Sequence, residues 1–274
     1  MSARPSSKPS PVSWAKASRL RKPDTFCWTA LPRRSNHDKM WMRNEKLRRI
    51  IGCSRIARAL TFGLQNALQM RLLSGHKDPR TLSSLRHAIR GTRSLLSADE
   101  AFILHEIASA QTTLPGDFAE FGVYEGASAA LLCSVKNDRT LHLFDTFEGL
   151  PESVRSGESG VFHKGQFIGT LPHVKRKLAG CRNVQFHPGL FPGSTSGLED
   201  LRFSFVHLDV DLHDATLAGL DYFYPRLVPG GIILTHDFSI IPGVAQAFRT
   251  FFADRPERII EFPTTQAMII RHPA

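Results

Sequence analysis

Residues 117–128 read DFAEFGVYEGAS, and this stretch decides the fold. Residues 117–122 form a short, mostly apolar run, of strand length and too brief for a helix. Gly122 and Gly126 bound a turn in which the missing side chains let the backbone bend tightly and approach a ligand. A helix is predicted over 127–136, and its N-terminus offers free N–H groups and a positive dipole end to an anion. The glycines do not follow G-x-G-x-x-G, which speaks against a nicotinamide cofactor.

Working outward, the same alternation continues. Strand-like segments are predicted at 140–145, 184–188, 203–209 and 231–236. Helices are predicted at 170–179 and 213–225, with a thinner one near 194–200 and another near 242–254. Alternating apolar strands and helices argue for a parallel sheet covered on both faces. The last two strand candidates, 258–262 and 266–271, are separated by three residues, too few for a helical crossover, so they must be antiparallel. The expected fold is α/β: a Rossmann-like, mostly parallel seven-stranded sheet with an antiparallel C-terminal hairpin, preceded by N-terminal helices. Upstream, Ser97-Ala-Asp-Glu100 is a capping-box pattern opening a helix from Ala98 to about Ala110. Residues 150–169 lack periodicity, are punctuated by Pro151, Gly157, Gly160, Gly165 and Gly169, and read as a lid loop.

Two further motifs carry chemistry. Asp145 ends the second strand, 23 residues after Gly122. An acid at that strand tip is where a nucleotide ribose is gripped, because a carboxylate accepts hydrogen bonds from both hydroxyls. The fourth and fifth strands end in Asp209-Val-Asp211-Leu-His213 and His236-Asp237. Ligands of an open parallel sheet bind outside the carboxyl ends of its strands, so these groups converge beside the glycine turn. Carboxylates from neighbouring strand ends suit a hard cation such as Mg²⁺. Methyl transfer to a hydroxyl needs that group partly deprotonated and aligned. A metal can do this by lowering its pKa, or a histidine such as His213 can take the proton.

The stretches GDFAEFGVYEGASAALL (116–132), LHLFDTFEGLPE (141–152) and FVHLDVDLHDATLAGLDYFYPRLVPGGIILTHDF (205–238) together resemble the macrocin O-methyltransferase (TylF/MycF-like) family, over about residues 95–272. The resemblance implies a class I methyltransferase that uses S-adenosylmethionine as methyl donor. In its best-known members it implies divalent-metal-assisted methylation of a sugar hydroxyl on a natural product. It places Glu120, Gly122, Tyr124 and Ser128, with Gly126 in the same turn, around the methionine end of the donor, and Asp145 at the ribose. Asp209 and Asp237 become metal ligands, with His236 between them. The familiar members carry an aspartate where this chain has His236. Imidazole is a poor Mg²⁺ ligand and suits Mn²⁺, Fe²⁺ or Zn²⁺ better. Asp209, His213 and His236 are the catalytic candidates. The alternative reading, from another class, is a non-catalytic Rossmann-like binding protein acting through its basic N-terminal arm.

That arm is visible in the charge. Residues 1–95 hold 21 Lys and Arg against four acids, a net of +17, while the remainder carries −7. Such asymmetry permits contact with nucleic acid, anionic lipid or an acidic partner, but a solvated arm is the plainer reading. The organisation expected is a disordered basic arm (1–38), a basic helical cap region (39–94) and a catalytic domain (95–274). Within the cap region, Leu47, Ile50, Ile51, Leu60, Leu64, Leu68 and Leu72 recur at helical spacing over 44–73. That helix is expected to pack on its own domain, with weak membrane-surface contact as the other use of such a face. Trp14, Trp28 and Trp41 lie among the basic residues without forming an RNA-binding pattern, so no nucleic-acid partner is expected. The first 22 residues lack an apolar core and do not read as a secretory signal. They are compatible with a transit peptide or with a start at Met40 or Met42. Cys27, Cys53, Cys133 and Cys181 lie far apart, which argues against a zinc site and a disulfide framework and for a reducing, cytoplasmic setting. The acceptor is expected to be a small-molecule hydroxyl; the sequence carries no signal of oligomeric state.

Overall fold

The computed structural model describes residues 55–151 and 162–273, with side chains from residue 63 onward. The basic arm, the first part of the 44–73 helix and residues 152–161 of the predicted lid lie outside the described residues.

Seven strands form one sheet: β1 (Asp117–Phe121), β2 (Leu141–Asp145), β3 (Val184–Pro188), β4 (Phe203–Leu208), β5 (Leu227–Thr235), β6 (Ile260–Glu261) and β7 (Ala267–Ile270). Their order is β3-β2-β1-β4-β5-β7-β6. β1 to β5 pair in parallel, and β7 runs antiparallel to both β5 and β6. The sheet is the mixed, mostly parallel one expected. After β3 the chain returns to the far side of β1, so a crevice opens where β1 and β4 end.

The helices are α1 (Arg55–Ser74), α2 (Pro79–Ile89), α3 (Ala98–Gln111), α4 (Ala127–Val135), α5 (Leu171–Lys177), α6 (His213–Phe223) and α7 (Pro242–Phe251). The first five pack on one face of the sheet over Phe118, Leu143, Phe205 and Leu234. The last two cover the other face over Phe121, Phe144, Val206 and Ile233. Strand residues thus bury alternate side chains into two cores, which is why β1 and β4 read as nearly continuous apolar runs. The predicted capping box is present: Ser97 Oγ accepts from the Glu100 N–H, while the Glu100 carboxylate accepts from the Ser97 N–H at 2.8 Å.

Three expectations are corrected. No helix spans 194–200; a single 3₁₀ turn at Gly193–Thr195 stands there, and Gly197, at φ +78°, breaks any continuation. In α1 the leucine stripe faces away from the core: Leu64, Leu68 and Leu72 are 75%, 58% and 63% exposed. The helix packs instead through Met70 and Leu73. Its polar Asn66 and Gln69 turn inward because their side-chain oxygens accept from the Ala98 N–H, one of the unpaired donors at the start of α3. The third concerns the cysteines. Cys133 on α4 is joined to Cys181, just beyond α5, in a disulfide 48 residues apart in sequence. Distance along the chain said nothing of this, because α4 and α5 lie side by side only once the sheet is formed. Among the described residues no helix is long and apolar enough to cross a membrane.

A bridge closing a loop of that length removes unfolded-state entropy worth about 2–4 kcal/mol. Cys133→Ser is expected to lower unfolding free energy by that amount in denaturant titrations without reductant. Thiol titration of the unreduced, unfolded chain should find no more than two of its four cysteines free. Four free thiols would contradict the bridge.

Candidate functional site

At the end of β1 the Gly122 N–H donates to the Phe144 carbonyl, and the Asp209 N–H donates to Phe121. Gly122 has φ +92°, and a Cβ there would lie 1.8 Å from the Asp209 carbonyl oxygen. Only glycine fits both constraints. The turn then passes Tyr124, a non-glycine residue at φ +50°, and Gly126, at φ +81°, which precedes α4 without any side-chain cap. The strained turn is held from below. Asp145 at the end of β2 accepts from the N–H groups of Val123 and Tyr124 through Oδ2, at 2.7 and 3.1 Å, and from Phe147 through Oδ1 at 2.7 Å. Burial pushes the Asp145 carboxyl above the usual range, against the pull of these three donors. Thr146 Oγ1 also stands 3.5 Å from Oδ1, but its single proton has the shorter partner in the Gly149 carbonyl at 2.7 Å, so the three backbone bonds leave part of a carboxylate's roughly four acceptor directions open.

Gly122, Tyr124, Ser128, Asp145, Asp209, His236 and Asp237 line one cavity, which with its mouth encloses about 1090 Å³. Two of the expected residues stand behind its wall. Glu120 is fully buried under the turn, its Oε1 2.9 Å from Nδ1 of the equally buried His207. Burial raises its carboxyl, with His207 opposing. Gly126 packs on Val174 of α5. His213 is not brought to the others: it opens α6, is buried, and turns its Nδ1 to Asp214 at 2.7 Å.

The strand-end acids meet around one imidazole. His236 Nδ1 lies 3.4 Å from Asp209 Oδ1 and 3.2 Å from Asp237 Oδ2. Two donors about 2.1 Å from a tetrahedral cation stand roughly 3.3–3.4 Å apart, so these three groups have the spacing of a metal's ligands. The mixed nitrogen and oxygen set fits Mn²⁺, Fe²⁺ or Zn²⁺ better than Mg²⁺. Burial alone would favour neutral His236, but the carboxylates of Asp237 and Asp209 outweigh it and raise its pKa well above the ordinary value. Asp209 moves the other way: burial resists its charge, and His236 more than offsets that. Asp211, at φ +61°, also lines the cavity, and burial and the carboxylates of Asp237 and Asp209 push its carboxyl far above the usual range.

Four contributors escaped the sequence reading. Glu100, legible only as a capping residue, reaches His236 from α3. Arg93 donates to Glu125 through its backbone N–H and its Nε, both at 2.7 Å, pinning the glycine turn from the cavity rim. Phe191 stacks on Phe121 at 4.3 Å and forms part of the wall. Gly169, noted only as loop punctuation, abuts the turn so closely that a Cβ would lie 1.5 Å from the Tyr124 carbonyl oxygen.

With this geometry in view, the chain's likenesses can be placed. The macrocin O-methyltransferase (TylF) family model matches residues 83–266. The 8-demethyl-8-(2,3-dimethoxy-α-L-rhamnosyl)-tetracenomycin-C 4'-O-methyltransferase of Streptomyces olivaceus is 30% identical over 183 residues, 60% of this chain and 68% of that one. The solved structure of the O-methyltransferase NovP superposes with a TM-score of 0.61 at 19% identity, over 77% of this chain and 100% of that one. TomG, an O-methyltransferase of Streptomyces achromogenes solved in complex with SAM, superposes with a TM-score of 0.51 at 18% identity, over 77% of this chain and 98% of that one. At these identities the two structures speak to the fold.

The contact at Gly169 generates a stability test. Gly169→Ala must push the backbone off Tyr124 and is expected to cost about 1–3 kcal/mol or more, as overpacking does. Gly180→Ala, with nothing within 4 Å of the added carbon, serves as control and should stay within about 0.5 kcal/mol of wild type. Equal melting temperatures for the two variants would refute the close packing.

Proposed function

The chain belongs to the macrocin O-methyltransferase family, and on that premise we propose that it moves the methyl group of S-adenosylmethionine to a hydroxyl of a sugar or related natural-product acceptor. The observation that carries the reading is the single cavity in which the glycine turn and Asp145 face Asp209, His236 and Asp237. The donor would lie across the turn. Gly122, Tyr124 and Ser128 would border its methionine end, with Glu120 and Gly126 shaping the turn from behind. The open acceptor direction of Asp145 would take a ribose hydroxyl.

The acceptor hydroxyl would then approach from the side of Asp209, His236 and Asp237. These three would hold a divalent cation, Mn²⁺ in preference to Mg²⁺. Such a cation lowers the pKa of a bound hydroxyl and fixes its position. His213, turned to Asp214 outside the cavity wall, has no part in this reading. Alignment of hydroxyl and methyl group inside the cavity supplies the remaining rate gain.

Calorimetry is expected to show micromolar binding of S-adenosylmethionine and of its demethylated product, and none of NAD. Asp145→Ala should weaken that binding by about 1–3 kcal/mol, because it removes both a ligand contact and the support of the turn. Failure to bind either ligand at tens of micromolar protein would sink the donor assignment. For the cation, chelator treatment and Asp209→Asn should each lower turnover on the order of 10²-fold, with Mn²⁺ restoring the chelated wild type at least as well as Mg²⁺. Full turnover in excess chelator would rule the cation out and leave the donor assignment standing.

A further inference from the structure

Glu100 is a buried carboxylate with more neighbours than a helix cap requires. Oε2 accepts from the Ser97 N–H at 2.8 Å and from Ser97 Oγ at 2.7 Å. Oε1 accepts from Thr265 Oγ1 at 2.6 Å and from the Thr265 N–H at 3.3 Å, in the turn between β6 and β7. Its backbone carbonyl accepts from Gln266 Nε2. Fixed in this way from two directions, the carboxylate stands with Oε2 3.4 Å from Nε2 of His236. That Nε2 is buried and completes no hydrogen bond in this geometry, so the Glu100 carboxylate faces it as an ion-pair partner. The opposite ring nitrogen, Nδ1, faces Asp209 and Asp237.

An imidazole that ligates a metal through one nitrogen must carry its proton on the other, and a carboxylate behind that N–H fixes both the tautomer and the ring orientation. We propose that Glu100 is the positioning residue of the cation site: it holds the Nε2–H of His236 and so presents Nδ1 to a cation shared with Asp209 and Asp237. The inference rests on the cation reading above and adds a residue that neither the motifs nor the resemblance assigns. It also accounts for a carboxylate at the start of α3 that lies against the end of β5.

The test uses the full chain and Mn²⁺ alone as probe, with free Mn²⁺ read by electron paramagnetic resonance. Glu100→Gln keeps a capping-box residue at N3, so binding of S-adenosylhomocysteine should change less than twofold. Mn²⁺ affinity should fall 10- to 100-fold. The same substitution is then made in a His236→Asp background, where Glu100 would face another carboxylate. There no ring N–H remains for Glu100 to hold, so Glu100→Gln should cost several-fold less Mn²⁺ affinity than it does in the single variant. A loss of equal size in both backgrounds would show a structural role only and overturn the proposal. So would unchanged Mn²⁺ affinity in the single variant. A wild-type chain that binds S-adenosylhomocysteine but no Mn²⁺ would instead remove the cation reading itself. Independently of any variant, ¹⁵N–¹H spectra of the Zn²⁺-loaded wild type should show His236 protonated at Nε2 and metallated through Nδ1. The opposite tautomer would refute the assignment.

Discussion

Where β1 meets β4, the backbone at Gly122 lies so near the Asp209 carbonyl that no side chain fits between them, and both halves of the site depend on that contact. It exists because the chain, after building β1 to β3, returns to the other flank of β1. Two parallel strands then end together with nothing between them. Gly122 turns the chain into the loop held by Asp145, and Asp209 continues it toward His236 and Asp237. The parallel pairing that buries Phe118 against Phe205 thereby sets the distance between the two halves.

Keeping so many ionisable groups dry is costly unless each is paired. In the core side of the sheet the charges are arranged in short chains. Glu120 is joined to His207, and Asp209 and Asp237 flank His236, with Glu100 behind it. Asp211 breaks the pattern. Its carboxyl is forced toward the neutral form by burial and by neighbours of its own sign, on a backbone in the left-handed region. Strain and like charge gather where an open cavity can be entered by a ligand that relieves them.

Much of this was legible because period and punctuation agree. The order and places of the strands, the antiparallel end and the capping box at Ser97 follow from local rules that tertiary contacts do not override, whereas β5 runs longer and β6 shorter than their apolar runs. The glycine turn and Asp145 were legible as a pair because a strand tip and a strand-to-helix turn meet in any such sheet. What escaped depends on packing between distant segments. The leucines of α1 looked like an inward face, and the amides of Asn66 and Gln69 claimed that side instead, since an unpaired N–H at a helix start is more demanding than a leucine at the surface. Glu100 satisfied a local motif so fully that its second neighbour, 136 positions away, left no trace in the pattern. His213 sat in a motif beside Asp211 yet turned away once it became the first residue of α6.

The bridge between Cys133 and Cys181 fastens α4, whose start borders the cavity, to the segment following α5, whose Val174 lies against Gly126. Two preparations of identical sequence can therefore differ by two hydrogen atoms and by the stiffness of the wall behind the cavity. The host compartment, the reductant in the buffer and the age of the sample become experimental variables on a par with pH and salt. An apparent difference between two laboratories' rates would be a statement about thiol chemistry before it was one about methyl transfer.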